Sequence, residues 1–470
     1  MFNFGRLFSF FAPPKAITQL PNGQIENAYK KSRILVFSGI FLGYGASYLV
    51  RSTSFSLAMP YLREIYGFNN YQLGMVITWF SIAYGFSKFL MGNVSDRSNP
   101  KYFLAFGLIV PSLIALTFGF CGWIYGSINT LFILMFISGW GNGMCYPPCV
   151  RVLAHWYSVK ERGLIMSAWN ISHNLGGCAV APLALLAVKL SNDWHSIFYF
   201  PATLTIILTL IVLATVKDTP QSVGLPSIED YHSKKYLNTE FSKGLEEQLS
   251  NPKEENELSV KEILFKHILN NKAIWYLSFA NIFVYFVRFG ISSWIPMYLY
   301  MNKGINFKGQ ATAVLLFELA GIPAMMICGY LSDKFFRNRR TPVIIFSMVL
   351  VIFAILLYWL NPVGNAYLDY IAIIGIGFLI YGPVVMIGMQ AVDVVYKKAV
   401  GTATGLTGFF GYILGTAGAS AYIGDVVDKY GWDAGFKLLI GACVLAIIFL
   451  IPIWNVGGED YKIRYPENSH

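Results

Sequence analysis

Two arginines lie inside runs otherwise apolar enough to cross a membrane, Arg51 in GYGASYLVRS (43–52) and Arg288 in FVYFVRFG (283–290). A guanidinium keeps its proton at any accessible pH. At a bilayer centre it costs about 2.5–3.5 kcal/mol, so such a charge is kept where it faces a cavity and meets a partner. YLVR at 48–51 returns as YFVR at 285–288, an offset of 237 residues. Equivalent arginines in two halves suggest one anionic site between them. Guanidinium forks offer paired N–H donors that fit phosphate oxygens, which lysine cannot match. The competing reading pairs each arginine with a carboxylate such as Glu318 and merely locks helices. Intramembrane carboxylates are few and the arginines recur symmetrically, which favours the clamp.

Other groups could join that site. His173, between Ser172 and Asn174, either hydrogen-bonds to a neighbour or meets a ligand. Imidazole titrates near 6.5, close to the second ionisation of a phosphate monoester near 6. Lys88 lies eight residues before the turn at Asp96, about 12 Å of helix. That is deep for a snorkelling lysine, so a cavity-facing cation is expected. Tyr48 and Tyr285 stand three residues before each arginine, one helical turn away.

These residues must be held by membrane helices. The chain has 470 residues, 55% hydrophobic and 13% charged, against roughly 25% charged in soluble domains. Twelve continuous apolar runs are expected to span, at 33–60, 71–93, 102–122, 130–153, 163–190, 195–216, 273–300, 310–332, 342–360, 367–393, 401–427 and 434–455. Continuous runs near 20 residues indicate helices rather than barrel strands. The first is expected to end near Met59-Pro60, and the second to start after the polar turn at 67–70. SDRSNPK at 95–101 and SDKFFRNRR at 332–340 close helices at the same offset, Asp96 to Asp333, and KERG at 160–163 aligns with KAVG at 398–401. The chain therefore reads as an internal duplication, an all-α membrane protein with twelve transmembrane helices in two pseudo-symmetric six-helix bundles. Asp96 and Asp333 are read as structural clasps.

The expected organisation is an N-terminal segment (1–32), a first bundle (33–216), a linker (217–272), a second bundle (273–456) and a tail (457–470). The linker is dense in Lys and Glu, with short amphipathic helices expected near 237–249 and 258–269. Eleven Lys and Arg flank the ends on the side of the termini and five the other side, placing both termini in the cytoplasm. The net charge of +10 thus belongs to membrane borders, a lipid-facing role rather than nucleic-acid binding. Six cysteines show no metal spacing, no metal or cofactor is expected, and no Walker motif suggests ATP as the driver. No nucleophile–base pair stands out, so an enzyme is not expected. The N-terminal MFNFGRLFSFFAPPK is read as an interfacial stretch, and a monomer is expected.

AMPYL (58–62), AYGFSKF (83–89), SDRSNPK (95–101), PPC (147–149), WNISHNLGG (169–177), NDWH (192–195) and KDTPQSVGLP (217–226) carry a resemblance. So do FVYFVRFG (283–290), AGIP (320–323), GFLIYGP (377–383) and GWDAGF (431–436). Together they resemble the organophosphate:phosphate antiporters of the major facilitator superfamily. The resemblance implies the major facilitator fold in an inner (plasma) membrane, and import of an organophosphate, such as sn-glycerol 3-phosphate, in exchange for inorganic phosphate. WNISHNLGG is equally similar to hexose-phosphate transporters, and some members of the family sense sugar phosphates instead of moving them. By the resemblance, the phosphate-binding arginines fall on Arg51 and Arg288, the central histidine on His173 and the second-helix lysine on Lys88. Cavity residues fall on Tyr44, Tyr48, Tyr84, Trp169, Asn170, Tyr285, Tyr381 and Tyr412. Two positions depart from the pattern. Ser52 stands where a lysine usually follows the first arginine, and Gln390 replaces a histidine.

Overall fold

A computed structural model describes residues 12–14, 16–18, 20–228, 230–231, 268–337, 339–395 and 400–457. The N-terminal stretch 1–11, the linker helix expected near 237–249, the one expected near 258–269 except its last two residues, and the tail from 458 lie outside the described residues. Eleven helices among the described residues are long and apolar enough to cross a membrane. The remaining expected segment, 401–427, lies in continuous helix from 400 to 430 with a π-helical turn in its middle.

The first half comprises α1 (Asn22–Leu49), α2 (Ser52–Tyr66), α3 (Asn70–Asp96), α4 (Pro100–Phe120), α5 (Ile128–Gly143), α6 (Tyr146–Trp156), α7 (Val159–Ser191) and α8 (Ser196–Thr215). The second comprises α9 (Lys272–Met301), α10 (Phe307–Phe336), α11 (Arg340–Leu360), α12 (Ala366–Asp393), α13 (Val400–Phe410), the π turn Gly411–Thr416, α14 (Ala417–Tyr430) and α15 (Trp432–Leu450). Duplication is visible in the capping. Asn69 accepts the Gln72 N–H and Asn306 accepts the Gly309 N–H, each one residue before the second spanning helix of its half.

Two expected spans are interrupted. The first does not end at Pro60, which lies inside α2; it breaks earlier, at Val50–Arg51, and runs on to Tyr66. Arg51 is extended there, with φ −86° and ψ −176°. A break inside a membrane leaves carbonyls that need donors. Ser54 Oγ donates to Leu49 O at 3.4 Å, and Asn142 Nδ2 approaches Val50 O at 3.5 Å. The fourth span breaks between Gly143 and Tyr146, because Pro147 and Pro148 cannot donate to the preceding turn. Gly143 also needs its bare backbone: a β-carbon there would sit 2.8 Å from Ser87 Oγ and 2.9 Å from Tyr84 O of α3.

The two halves meet along α3–α14, α7–α10 and α2–α9. Cross-half hydrogen bonds gather toward the end remote from α1's start. There Asp428 accepts from Asn70 and Tyr71, Tyr300 donates to Glu64, and Thr78 donates to Ala417 O. At the opposite end the bonds among the described residues stay within each half. Arg151 donates to Ser95 O, Ser98 O and Asp218, and Arg340 donates to Asp333 and Asp393. Asp333 thus ties the end of α10 to the start of α11 within its own half, whereas nothing is described of the Asp96 side chain.

Candidate functional site

Arg51 owes its position to the break, which turns it off the helical path midway along the first span. Its guanidinium carbon lies 4.9 Å from the Tyr48 ring centroid, 4.4 Å from Tyr84 and 5.8 Å from Tyr412. Among the described residues no carboxylate pairs with it. Tyr48 and Tyr84 come from the first half and Tyr412 from the second, so the cation is held by π faces across the interface.

Arg288 differs from its counterpart because α9 is unbroken around it. Its side chain is 9% exposed. Nη2 donates to Tyr381 Oη at 3.0 Å, and the Tyr381 hydroxyl donates to Glu318 Oε2. Glu318 is therefore joined to Arg288 through a phenol, rather than by the direct ion pair weighed from sequence. It lies on the α7–α10 seam, where a β-carbon on Gly177 would be 3.3 Å from Oε2. The small residue in WNISHNLGG leaves room for that carboxylate.

Tyr412 links the two arginines. Its ring is 4.8 Å from Tyr84 and 5.1 Å from Tyr285. It stands in the π turn Gly411–Thr416, and such turns re-aim a side chain without ending the helix. Lys88 Nζ lies 4.5 Å from the Tyr146 ring centroid and 5.5 Å from Tyr412, so it points inward as expected.

His173 Nδ1–H donates to the Asn170 carbonyl, leaving Nε2 for another partner. Its ring is 5.4 Å from Tyr48 and 6.4 Å from Tyr44. Tyr44 stacks on Trp169 at 4.6 Å, and Trp169 Nε1 donates to Ile40 O at 3.3 Å. The indole is fully buried and holds α7 to α1, whereas the Asn170 side chain is exposed.

The residues named from sequence therefore converge, with one correction. Gln390 is buried between Arg340 N, which donates to its Oε1 at 3.2 Å, and Val456 O, which accepts from its Nε2 at 2.6 Å. That places it at the helix ends near Arg340, remote from the arginine cluster, where it satisfies backbone groups. Ser52 does stand beside Arg51, partly buried, in the first turn of α2. Tyr146 and Asn142 were missed. Tyr146 precedes the Pro147–Pro148 pair, but no spacing marks it as a partner for Lys88. Asn142 could have been found as a buried amide beside a helix breaker.

A sequence model of the Major Facilitator Superfamily matches residues 40–420. A glycerol-3-phosphate transporter of Bacillus subtilis is 49% identical over 96% of this chain and 99% of its own length. A glycerol-3-phosphate transporter of Haemophilus influenzae is 40% identical over 94% of this chain and 95% of its own. Among solved structures, an inward-facing, unoccupied bacterial homologue of the human lysosomal transporter Spinster aligns with a TM-score of 0.67, covering 90% of this chain and 95% of that one. At 16% identity that likeness concerns the fold.

Proposed function

We propose, from the premise that this chain belongs to the Major Facilitator Superfamily, that it imports an organophosphate, sn-glycerol 3-phosphate, in exchange for inorganic phosphate. The observation that carries this reading is Arg51, an intramembrane cation with aromatic faces around it and no carboxylate partner among the described residues, one interface away from Arg288. A phosphate taking donors from both arginines would draw the halves together. Lys88 adds to the positive field, and His173 Nε2 offers a further contact. The aromatic walls exclude water from the charges and strengthen their pull on an anion. Both termini lie in the cytoplasm in this reading, the protein works as a monomer in the inner membrane, and its halves run 33–216 and 273–456.

Proteoliposomes loaded with radiolabelled phosphate test it. External glycerol 3-phosphate should accelerate loss of the label more than glucose 6-phosphate at equal concentration. If glucose 6-phosphate is the better competitor, the hexose-phosphate reading replaces this one. Binding without exchange would make the protein a sensor.

A further inference from the structure

Asp428, two residues from the end of α14, belongs to the second half but bonds to the first. Its Oδ1 accepts from Asn70 Nδ2 at 2.8 Å and its Oδ2 accepts from the Tyr71 backbone N–H at 2.8 Å. Asn70 and Tyr71 are the first two residues of α3, whose N–H groups have no acceptor within their own helix. Asn69 already serves Gln72, so Asp428 serves another donor and sets a negative charge at the positive end of α3. Arg63 Nη1 lies 3.8 Å from Oδ1, and the Asp428 side chain is 22% exposed, so water can replace these bonds. Below them the two helices run in close contact. A β-carbon on Gly424 would lie 2.5 Å from Asn70 O, one on Gly74 would collide with Ser420 O, and Thr78 Oγ1 donates to Ala417 O at 2.8 Å.

The duplication does not explain this contact. On the other seam Asn306 caps α10 as Asn69 caps α3. At the 238-residue offset that relates KERG to KAVG in these helices, however, the residue matching Asp428 is Leu190. A carboxylate reaches across on one seam, where its counterpart in the first half is a leucine with no acceptor to offer.

We propose that Asp428 is a releasable cap: its carboxylate holds the α3 N-terminus while this end of the molecule is closed, and lets go each time the end opens. This rests on the alternating-access reading given above. The cap needs two acceptor oxygens and a charge, so glutamate serves in part, asparagine poorly and alanine not at all.

Spin labels on Ser127→Cys and Val363→Cys, exposed loop positions of the two halves at this end, report its opening. The half-buried Cys121 is replaced by serine, and the other five cysteines are buried. Double electron–electron resonance on the full-length protein in nanodiscs, without substrate, should give a short separation for the parent. Asp428→Ala and Asp428→Asn should each shift the ratio of long to short separations about ten-fold, as expected for losing a charge-assisted bond. Asp428→Glu should stay closer to the parent. Asp425→Asn is the control, since Asp425 bonds Lys429 of its own helix at 2.8 Å. Parent-like separations in Asp428→Asn and Asp428→Ala would overturn the proposal, as would an equal shift in Asp425→Asn. Because no substrate is present, the result stands apart from transport. A parent that fails to exchange phosphate would sink the transport reading while leaving the cap measured.

Discussion

Replacing Glu318 with glutamine should tighten the binding of inorganic phosphate. The carboxylate receives the Tyr381 hydroxyl, which accepts from Arg288 Nη2 at 3.0 Å. A phosphate oxygen bonded to Arg288 would lie within about 8 Å of Glu318 along that path, given ordinary charge-assisted bond lengths. At an effective dielectric constant near 20, two like charges at that distance repel by about 2 kcal/mol. Glutamine keeps the length of the side chain and can still accept from Tyr381, so the substitution removes charge and little else. The dissociation constant should fall roughly thirty-fold. Calorimetry on the solubilised protein, at fixed salt near neutral pH, reads that change, with Glu318→Asp as the variant that keeps the charge. Unchanged or weaker phosphate binding in Glu318→Gln would refute the reasoning, because the carboxylate would then not oppose the anion.

Arg51→Lys and Arg288→Lys keep the charge and lose the fork; each should weaken phosphate binding by one to two orders of magnitude, the loss of about 1.5–3 kcal/mol of charged hydrogen bonding, by the same calorimetry. Wild-type-like affinity in either would show that a point charge suffices. Ser52→Lys should tighten glycerol 3-phosphate binding in competition with labelled phosphate; a flat response to every phosphate ligand would place position 52 outside the cavity. His173→Gln should change the protons exchanged on phosphate binding, so that the variant takes up fewer or releases more than the parent in buffers of different ionisation enthalpy. Identical stoichiometries would make His173 a structural residue.

The duplicated pattern was legible because a fixed offset relates strings of residues: YLVR to YFVR, Asp96 to Asp333. It predicts the number of spans and puts the arginines on equivalent helices. It does not predict how differently those helices are built around them. Arg51 sits at a break supported by Ser54 and Asn142, whereas Arg288 sits in an unbroken helix and is tied to Tyr381. Breaks inside apolar runs are hard to read because hydropathy continues through them; the 401–427 run hides a π turn in the same way. Gln390 misled for a different reason. A position within a motif says nothing about where its side chain ends up, and here the amide holds backbone groups at the helix ends. Glu318 was visible as a rare intramembrane carboxylate, but the intervening phenol is a fact of packing.

The charges at the cavity bear on why exchange should be favoured over one-way transport. Arg51, Arg288 and Lys88 bring three cations and Glu318 one carboxylate, a sum of two positive charges that a phosphate dianion would balance. Closing both halves around unbalanced charge strips its water at a cost of several kcal/mol per ion, while a bound dianion compensates it. In the proposed cycle the loaded stroke is therefore easier than the empty one. Glu318→Gln raises the sum to three and Ser52→Lys does the same from the opposite half, so a dianion would leave one charge uncompensated in either. Both variants should bind phosphate more tightly and exchange it more slowly, although they touch different helices. If one slows and the other does not, turnover follows local contacts at that residue rather than the charge sum of the cavity.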